Sequence, residues 1–457
     1  MWWLAWLACQ DPLPDSPVTV DSEPTADSQV EPLQFESAIR CAECHPQQYE
    51  EWQTSMHAYA ARSPVFDAMA GKAHRDSGAQ VGTFCTGCHS VVGTEAGEPG
   101  SFTTEDRSDL SNEGVTCDVC HSAVDHGSPI GNATLRYDTS LTLGPYASEY
   151  TEGHMSVQSD FTTSSRLCGS CHDVFSFPAL EIEQAFAEYI ASPAAQEGTR
   201  CQDCHMSPTP GITGGRSWGP SAVVEGQNYP DRELATHRFI GPDYSLVDDF
   251  PYPDDLQASA QAQAWTLGQI QILLENAVEL DGLQLYRNGS AVRVSVALRS
   301  LTPGHRVPTG FTSERQLWVE VVATRPDGSE VYRSGDLDTN GDLRDEHSAL
   351  VQSGTVSPDR DLVNLQSRNM VRVQEEGFTE VYETVFPFDA NYIERRSLKP
   401  LERRELEYRF EEDGPVEVSV LLHYRNLPPY LLRALQVEEL VERLVIFTID
   451  EESASIP

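Results

Sequence analysis

The sequence predicts a multidomain protein: a mostly helical or irregular N-terminal domain, then a C-terminal antiparallel β-sandwich-like domain. Two observations carry this. Ten of the eleven cysteines fall between residues 41 and 204, in five copies of one short pattern. Beyond about residue 256 cysteine is absent, and apolar residues alternate with polar ones in several runs. The 457 residues allow two or three domains with real cores. A content of 39% hydrophobic and 22% charged residues is globular rather than disordered.

Residues 1–9, MWWLAWLAC, are apolar and look like the hydrophobic part of an export signal. Leu7, Ala8 and Cys9 resemble the end of a bacterial lipoprotein signal, in which the cysteine carries lipid, although Trp6 stands where that pattern usually has an aliphatic residue. No stretch reaches the roughly 18–20 apolar residues that span a bilayer; Cys9 either carries lipid that anchors the protein to a membrane or leaves with the signal peptide. Residues 10–35 are acidic and Pro-rich with no basic residue, a composition that cannot bury a core and reads as a tether.

Residues 36–255 hold the repeated pattern: CAECH at 41–45, CTGCH at 85–89, CDVCH at 117–121, CGSCH at 168–172 and CQDCH at 201–205. Histidine is 13 of 457 residues, so five trailing histidines would coincide at roughly 10⁻⁸ by chance, and C-x-x-C-H is the attachment signature of c-type haem. The two thiols add to the vinyl groups of one macrocycle, and the following imidazole becomes the proximal iron ligand. The pairs are Cys41/Cys44, Cys85/Cys88, Cys117/Cys120, Cys168/Cys171 and Cys201/Cys204, followed by His45, His89, His121, His172 and His205. Zinc needs such pairs two at a time, and five leave one over. A disulfide scaffold gives no reason for the histidine. A domain this short carrying five haem c groups must draw much of its apolar core from them, so short helices and long loops are expected. Helices are expected at 46–62 and 179–191, and 207–230 reads as irregular.

Residues 256–457 carry the period-two runs. Val292, Val294, Val296 and Leu298 form one; Leu317, Val319 and Val321 form another before a Pro326-Asp327-Gly328 turn. Leu406, Tyr408 and Phe410, and then Val416, Val418 and Val420, complete the pattern. The run DLDTNGDLRDEH places Asp336, Asp338, Asn340 and Asp342 around Gly341, like the start of a calcium loop. Its twelfth residue is His347 instead of glutamate, and an Asp/Asn/Gly turn explains the same composition.

Eight histidines lie outside the motifs. The N-terminal half contributes His57, His74, His126, His154 and His237, as many as there are irons, so bis-His coordination is expected. Without methionine ligands the potentials should be low. The balance of 71 acidic to 31 basic residues, net −40, excludes nucleic acid and favours redox partner proteins with basic docking surfaces.

At this point the residues carry a resemblance. CAECHPQQYEEWQTSMHAYA, GVTCDVCHS, GPYASEYTEGHM, LCGSCHDV, AEYIASPAAQEGTRCQDCHM and THRFIG resemble bacterial multihaem, here pentahaem, cytochromes c. That superfamily includes the tetrahaem electron acceptor of hydroxylamine oxidoreductase and pentahaem nitrite reductase. PGHRVPTGFTSERQLWVEV and LHYRNLPPYLLRAL resemble the β-rich domain fused to many of them. The resemblance implies distal-ligand positions at His57, His154 and His237, and at His305 a residue reaching back from the β domain; His74 and His126 match nothing firm. It also implies a location outside the cytoplasm, in the periplasm or on the cell surface as a lipoprotein, since c-type haem is attached there. The expected role is electron transfer between redox partners. The alternative is an oxidoreductase of nitrite or hydroxylamine conversion with one open iron, although that family's C-x-x-C-K motif does not occur here.

Overall fold

One helical turn underlies each motif. Residues i, i+3 and i+4 share a helix face, so a turn at C-x-x-C-H puts both thiols and the imidazole on one side. A computed structural model describes residues 33–98, 103–146, 154, 156–176, 180–375 and 378–457; Cys9 and the tether before residue 33 lie outside the described residues. The motifs occupy the short helices Ala38–Ala42, Thr86–His89, Cys117–His121, Ser165–Gly169 and Cys201–His205 or run on directly from them. Backbone hydrogen bonds close the turn from His45 to Cys41 (2.7 Å), His89 to Cys85 (3.3 Å) and His172 to Cys168 (2.9 Å). Ser37 and Ser164 cap two of these helices through their hydroxyls.

The segment 46–62 forms two helices, Pro46–Gln53 and Met56–Tyr59, instead of one. Thr54 and Ser55 break it, and the Ser55 hydroxyl caps the second helix by accepting from Ala58 N. The segment 179–191 also differs from expectation. Leu180–Glu183 is a strand paired with Val174–Ser176, and the helix starts only at Ala185. Pairing buries Ile182 and Glu183, so two-residue alternation wins over helical spacing. The 207–230 stretch is not wholly irregular: Ser217–Pro220 pairs with Asp231–Leu234, and Val223–Val224 with Gln227–Asn228. Apolar clusters in this half are small, such as Trp52 with Tyr59 and Phe250, or Val91 with Val92 and Val119.

The C-terminal half opens with a helix the sequence patterning did not reveal, Leu256–Glu275, which buries Thr266, Ile270, Leu273 and Leu274 on one face. The strands follow the expected alternation. Val278–Asn288, Ala291–Ser300 and Arg403–Glu411 form one antiparallel sheet. Glu330–Ser334, Gln316–Thr324, Val416–Arg425 and Phe447–Ile456, with Val363–Asn364 at one side, form a second. Val294 and Val296 of the first share a core with Val319, Val321, Val418 and Val420 of the second; each such buried side chain contributes roughly 1.5–3 kcal/mol. Gly328 takes the turn at φ +82°, which favours glycine.

Residues 33–457 form one compact unit. The connection from Ser300 to Gln316 reaches from the sheets to the motif helices and is fastened along its length. Val307 and Leu398 exchange two backbone hydrogen bonds (3.0 and 2.8 Å). Glu188, on the helix Ala185–Ile190, accepts from Arg306 N (3.1 Å) and Thr309 Oγ1 (2.6 Å). Arg315 donates twice to Asp243, 2.8 Å each. His305 lies at the head of this clamped loop.

Candidate functional site

The motif helices turn their side chains into one continuous cavity of about 1710 Å³, larger than the roughly 300–1,000 Å³ of a site for one small ligand. All ten motif cysteines line it, with His45, His89, His121, His172 and His205. So do His57, His154, His237 and His305. Among the described residues no disulfide joins the motif cysteines. Burial raises Cys85 and Cys204 to about 11.

Four of the five motif histidines face a second imidazole across this space. Ring centres lie 6.1 Å apart for His45 and His154, 6.3 Å for His57 and His172, 6.4 Å for His121 and His237, and 6.1 Å for His205 and His305. Two imidazoles donating to one metal from opposite sides, at about 2.0–2.1 Å each, stand with ring centres about 6 Å apart. Among the described residues no group of three or more His, Cys, Asp or Glu could hold a metal ion by itself. Two axial imidazoles therefore suit a metal whose other ligands come from a macrocycle, and the thiol pairs beside them suit its covalent attachment. The residues fit c-type haem.

The second nitrogen of each motif imidazole is held by the chain. Nδ1 of His89 donates to Ala60 O (3.2 Å), His121 to Leu143 O (2.6 Å) and His205 to Ile240 O (3.2 Å). The Ser221 carbonyl serves His45. Such bonds fix the tautomer and leave Nε2 with its lone pair toward the cavity. Burial holds His57 down at about 3 and His205 and His237 at about 4, so these rings are neutral, as ligands must be. His172 differs. Its Nδ1 faces a carboxylate oxygen of Glu183 at 3.3 Å, and although burial works against the charge, that carboxylate raises the imidazole to about 9; to serve as a ligand this ring would release its Nε2 proton and keep Nδ1–H on Glu183.

Positioning comes from close packing. Gly114, at φ +72°, lies so near the His57 backbone that a side chain there would collide with the His57 carbonyl oxygen. That carbonyl accepts from Val115 N (3.0 Å). Glu51, buried, accepts from His237 N (2.8 Å) and links the His237 segment to the first motif's helix pair.

The remaining candidates lie elsewhere. His74 is on the helix Pro64–Asp76 and His126 ends the strand Ala123–His126; neither lines the cavity. His126 Nδ1 donates to Gly127 O at 2.6 Å. Phe66 stacks on His89 with ring centres 4.2 Å apart, and among the described residues no second imidazole faces His89 as the other four are faced. In the candidate calcium loop the acidic groups are taken up by protein donors. Asp336 pairs with Arg344, Asp342 with Arg433, and Asp338 accepts from Asn340 N and Asp342 N. The loop is a turn braced by arginines, and the placement of Asn340 follows from the turn itself.

Residues 40–122 match the family described as cytochrome c554 and c-prime. This segment is similar to a cytochrome. A penta-haem cytochrome c552 from Thermochromatium tepidum shares the fold, with a TM-score of 0.61 and 18% identity over 92% of this chain and 99% of that one. A β-glucosidase 3B from Thermotoga neapolitana, in complex with α-D-glucose, overlaps 39% of this chain and 16% of its own at 13% identity, and its TM-score of 0.14 carries no argument. A comparison with curated protein sequences gives no match.

Patterning alone missed Glu183 and the carbonyls of Ala60, Leu143 and Ile240. Backbone acceptors leave no trace in residue type. For Glu183 the available signal was the alternation of Leu180 and Ile182, which marks a strand.

Proposed function

We propose that this chain is an extracytoplasmic electron-transfer protein carrying five covalently attached c-type haems, four of them held between two histidines. When bound, haem supplies an iron that exchanges one electron without a change of ligands. The chain supplies tethering thiols, axial imidazoles, the acceptors that orient them and a shell that excludes water. The observation that carries the reading is a single cavity lined by all ten motif cysteines, in which four motif histidines face a second histidine at 6.1–6.4 Å.

Contacts between motifs support a relay. The sulfur of Cys41 lies beside that of Cys117, Cys88 beside Cys171, and Cys168 beside Cys201. Cys120 lies close enough to Cys168 and Cys171 to act on both electrostatically. The first motif thus adjoins the third, the third adjoins the fourth, and the fourth also adjoins the second and fifth. In this reading the partners are redox proteins with basic docking surfaces, given the net charge of −40, and Cys9 carries the lipid anchor.

One observation favours a second role. With no imidazole among the described residues facing His89 as the other four are faced, its site is the candidate for an open iron, and nitrite or hydroxylamine conversion would be located there. The test is expression in a host competent for cytochrome maturation, with intact mass for haem number and acylation and electron paramagnetic resonance for spin state. Five haems with mostly low-spin iron support the relay. A high-spin signal that nitrite or hydroxylamine shifts, with turnover, moves the assignment to the enzyme. A colourless product refutes both.

A further inference from the structure

We propose that Glu183 is a positioning residue which, through His172, gives the Cys168/Cys171 site the most negative reduction potential of the five, so that the junction of the relay takes up its electron last. This rests on the five-haem reading.

Three independent features place Glu183 in this role. The first is the contrast in acceptors. His89, His121 and His205 each give Nδ1–H to a neutral backbone carbonyl and His45 meets the backbone of Ser221, whereas His172 gives its Nδ1–H to a carboxylate oxygen. A carboxylate partner raises the basicity of a metal-bound imidazole and stabilises the more positive, oxidised metal. The second is burial. The Glu183 side chain is 9% exposed, while the half-exposed His172 ring faces the cavity that the haem would fill; the ion pair of Glu183 among the described residues is with His172, so no arginine or lysine there offsets its charge.

The third is rigidity. Glu183 ends the strand Leu180–Glu183 and sits opposite Val174, two residues beyond His172, in the antiparallel pair. The pairing of these two strands therefore brings Glu183 back beside the motif's own histidine.

Location makes the effect matter. The fourth motif contacts the second and fifth through its thiols and lies beside the third. A negative potential at this meeting point keeps electrons in the arms and makes passage between arms the uphill step. Glu183 also acts electrostatically on His89, in the arm that lacks a facing histidine, though it bonds only the fourth motif's ring.

The test is a spectropotentiometric titration of the haem-loaded full chain, wild type against Glu183→Gln and Glu183→Asp. In Glu183→Gln the most negative of the five components moves furthest to more positive potential, the His89 component follows by less and the other three hold, and Glu183→Asp retains part of the negative shift. An unmoved lowest component in a Glu183→Gln protein that carries five haems overturns the proposal, as does an equal shift of all five. Near-infrared magnetic circular dichroism of the wild type gives a readout independent of variant folding. The component that stays ferric to the lowest potential must show the charge-transfer band of a histidine with imidazolate character, and an ordinary bis-histidine band there overturns the assignment. A wild-type chain without haem would remove the underlying reading as well, and its missing Soret band separates that failure from the others.

Discussion

Replacing His305 with alanine tests the most distant feature of the site, a ligand delivered from the β-rich half. In the folded chain its ring lies 6.1 Å from that of His205, at an interplanar angle of 20°. If each motif carries a haem as proposed, four facing pairs among five motif histidines give low-spin iron at about four-fifths of the total in the wild type. Removing one pair leaves about three-fifths, so His305→Ala doubles the high-spin share from one-fifth to two-fifths. The fold should tolerate the change, because the loop is also held by the Val307–Leu398 hydrogen bonds, by Glu188 and by the Arg315–Asp243 pair. The assay is quantitative electron paramagnetic resonance of the oxidised protein after mass spectrometry confirms five haems. A methionine at the same position would restore low-spin iron and raise that component's potential. An unchanged spin ratio in the alanine variant, with full loading, would refute His305 as the sixth ligand. A wild type with no high-spin iron would show that the His89 site finds a ligand from another residue.

Other consequences can be checked separately. Gly114→Ala forces both a left-handed backbone on alanine and a collision with the His57 carbonyl, so it should cost about 1–3 kcal/mol in urea unfolding and selectively broaden the His57–His172 resonance. His347 lies between Asp345 (3.2 Å) and Glu383 (3.1 Å) in the β-rich half; burial opposes its charge, but these carboxylates raise it to about 9. Because its folded value lies above the 6.5 of the free side chain, its stabilisation of roughly 3 kcal/mol is complete below pH 6.5 and lost as pH climbs through about 9. Urea midpoints from pH 6 to 9.5 should therefore fall more in the wild type than in His347→Gln. Electron delivery to a basic partner should slow as ionic strength rises, since a net charge of −40 steers the encounter; stopped-flow rates that ignore salt would contradict a docking role for that charge.

The sequence by itself determined where the five C-x-x-C-H motifs lie and set a motif-bearing half apart from a strand-rich half. C-x-x-C-H is a local device: one helical turn sets both thiols and the imidazole on a single face, so spacing alone reveals it. The strands around Val294, Val319, Leu406 and Val418 were legible for a like reason, because period-two alternation records which face is buried. Tertiary structure decided how the histidines meet. His57 belongs with the fourth motif instead of the nearby first, and His305 crosses from the other half, because the folding of distant segments around one cavity sets those 6 Å separations and no residue type encodes them. The same holds for Glu183, whose place beside His172 depends on a short hairpin formed where helical spacing suggested a helix. Local geometry is written in neighbouring residues, whereas opposition across a shared space is a property of the packed chain alone.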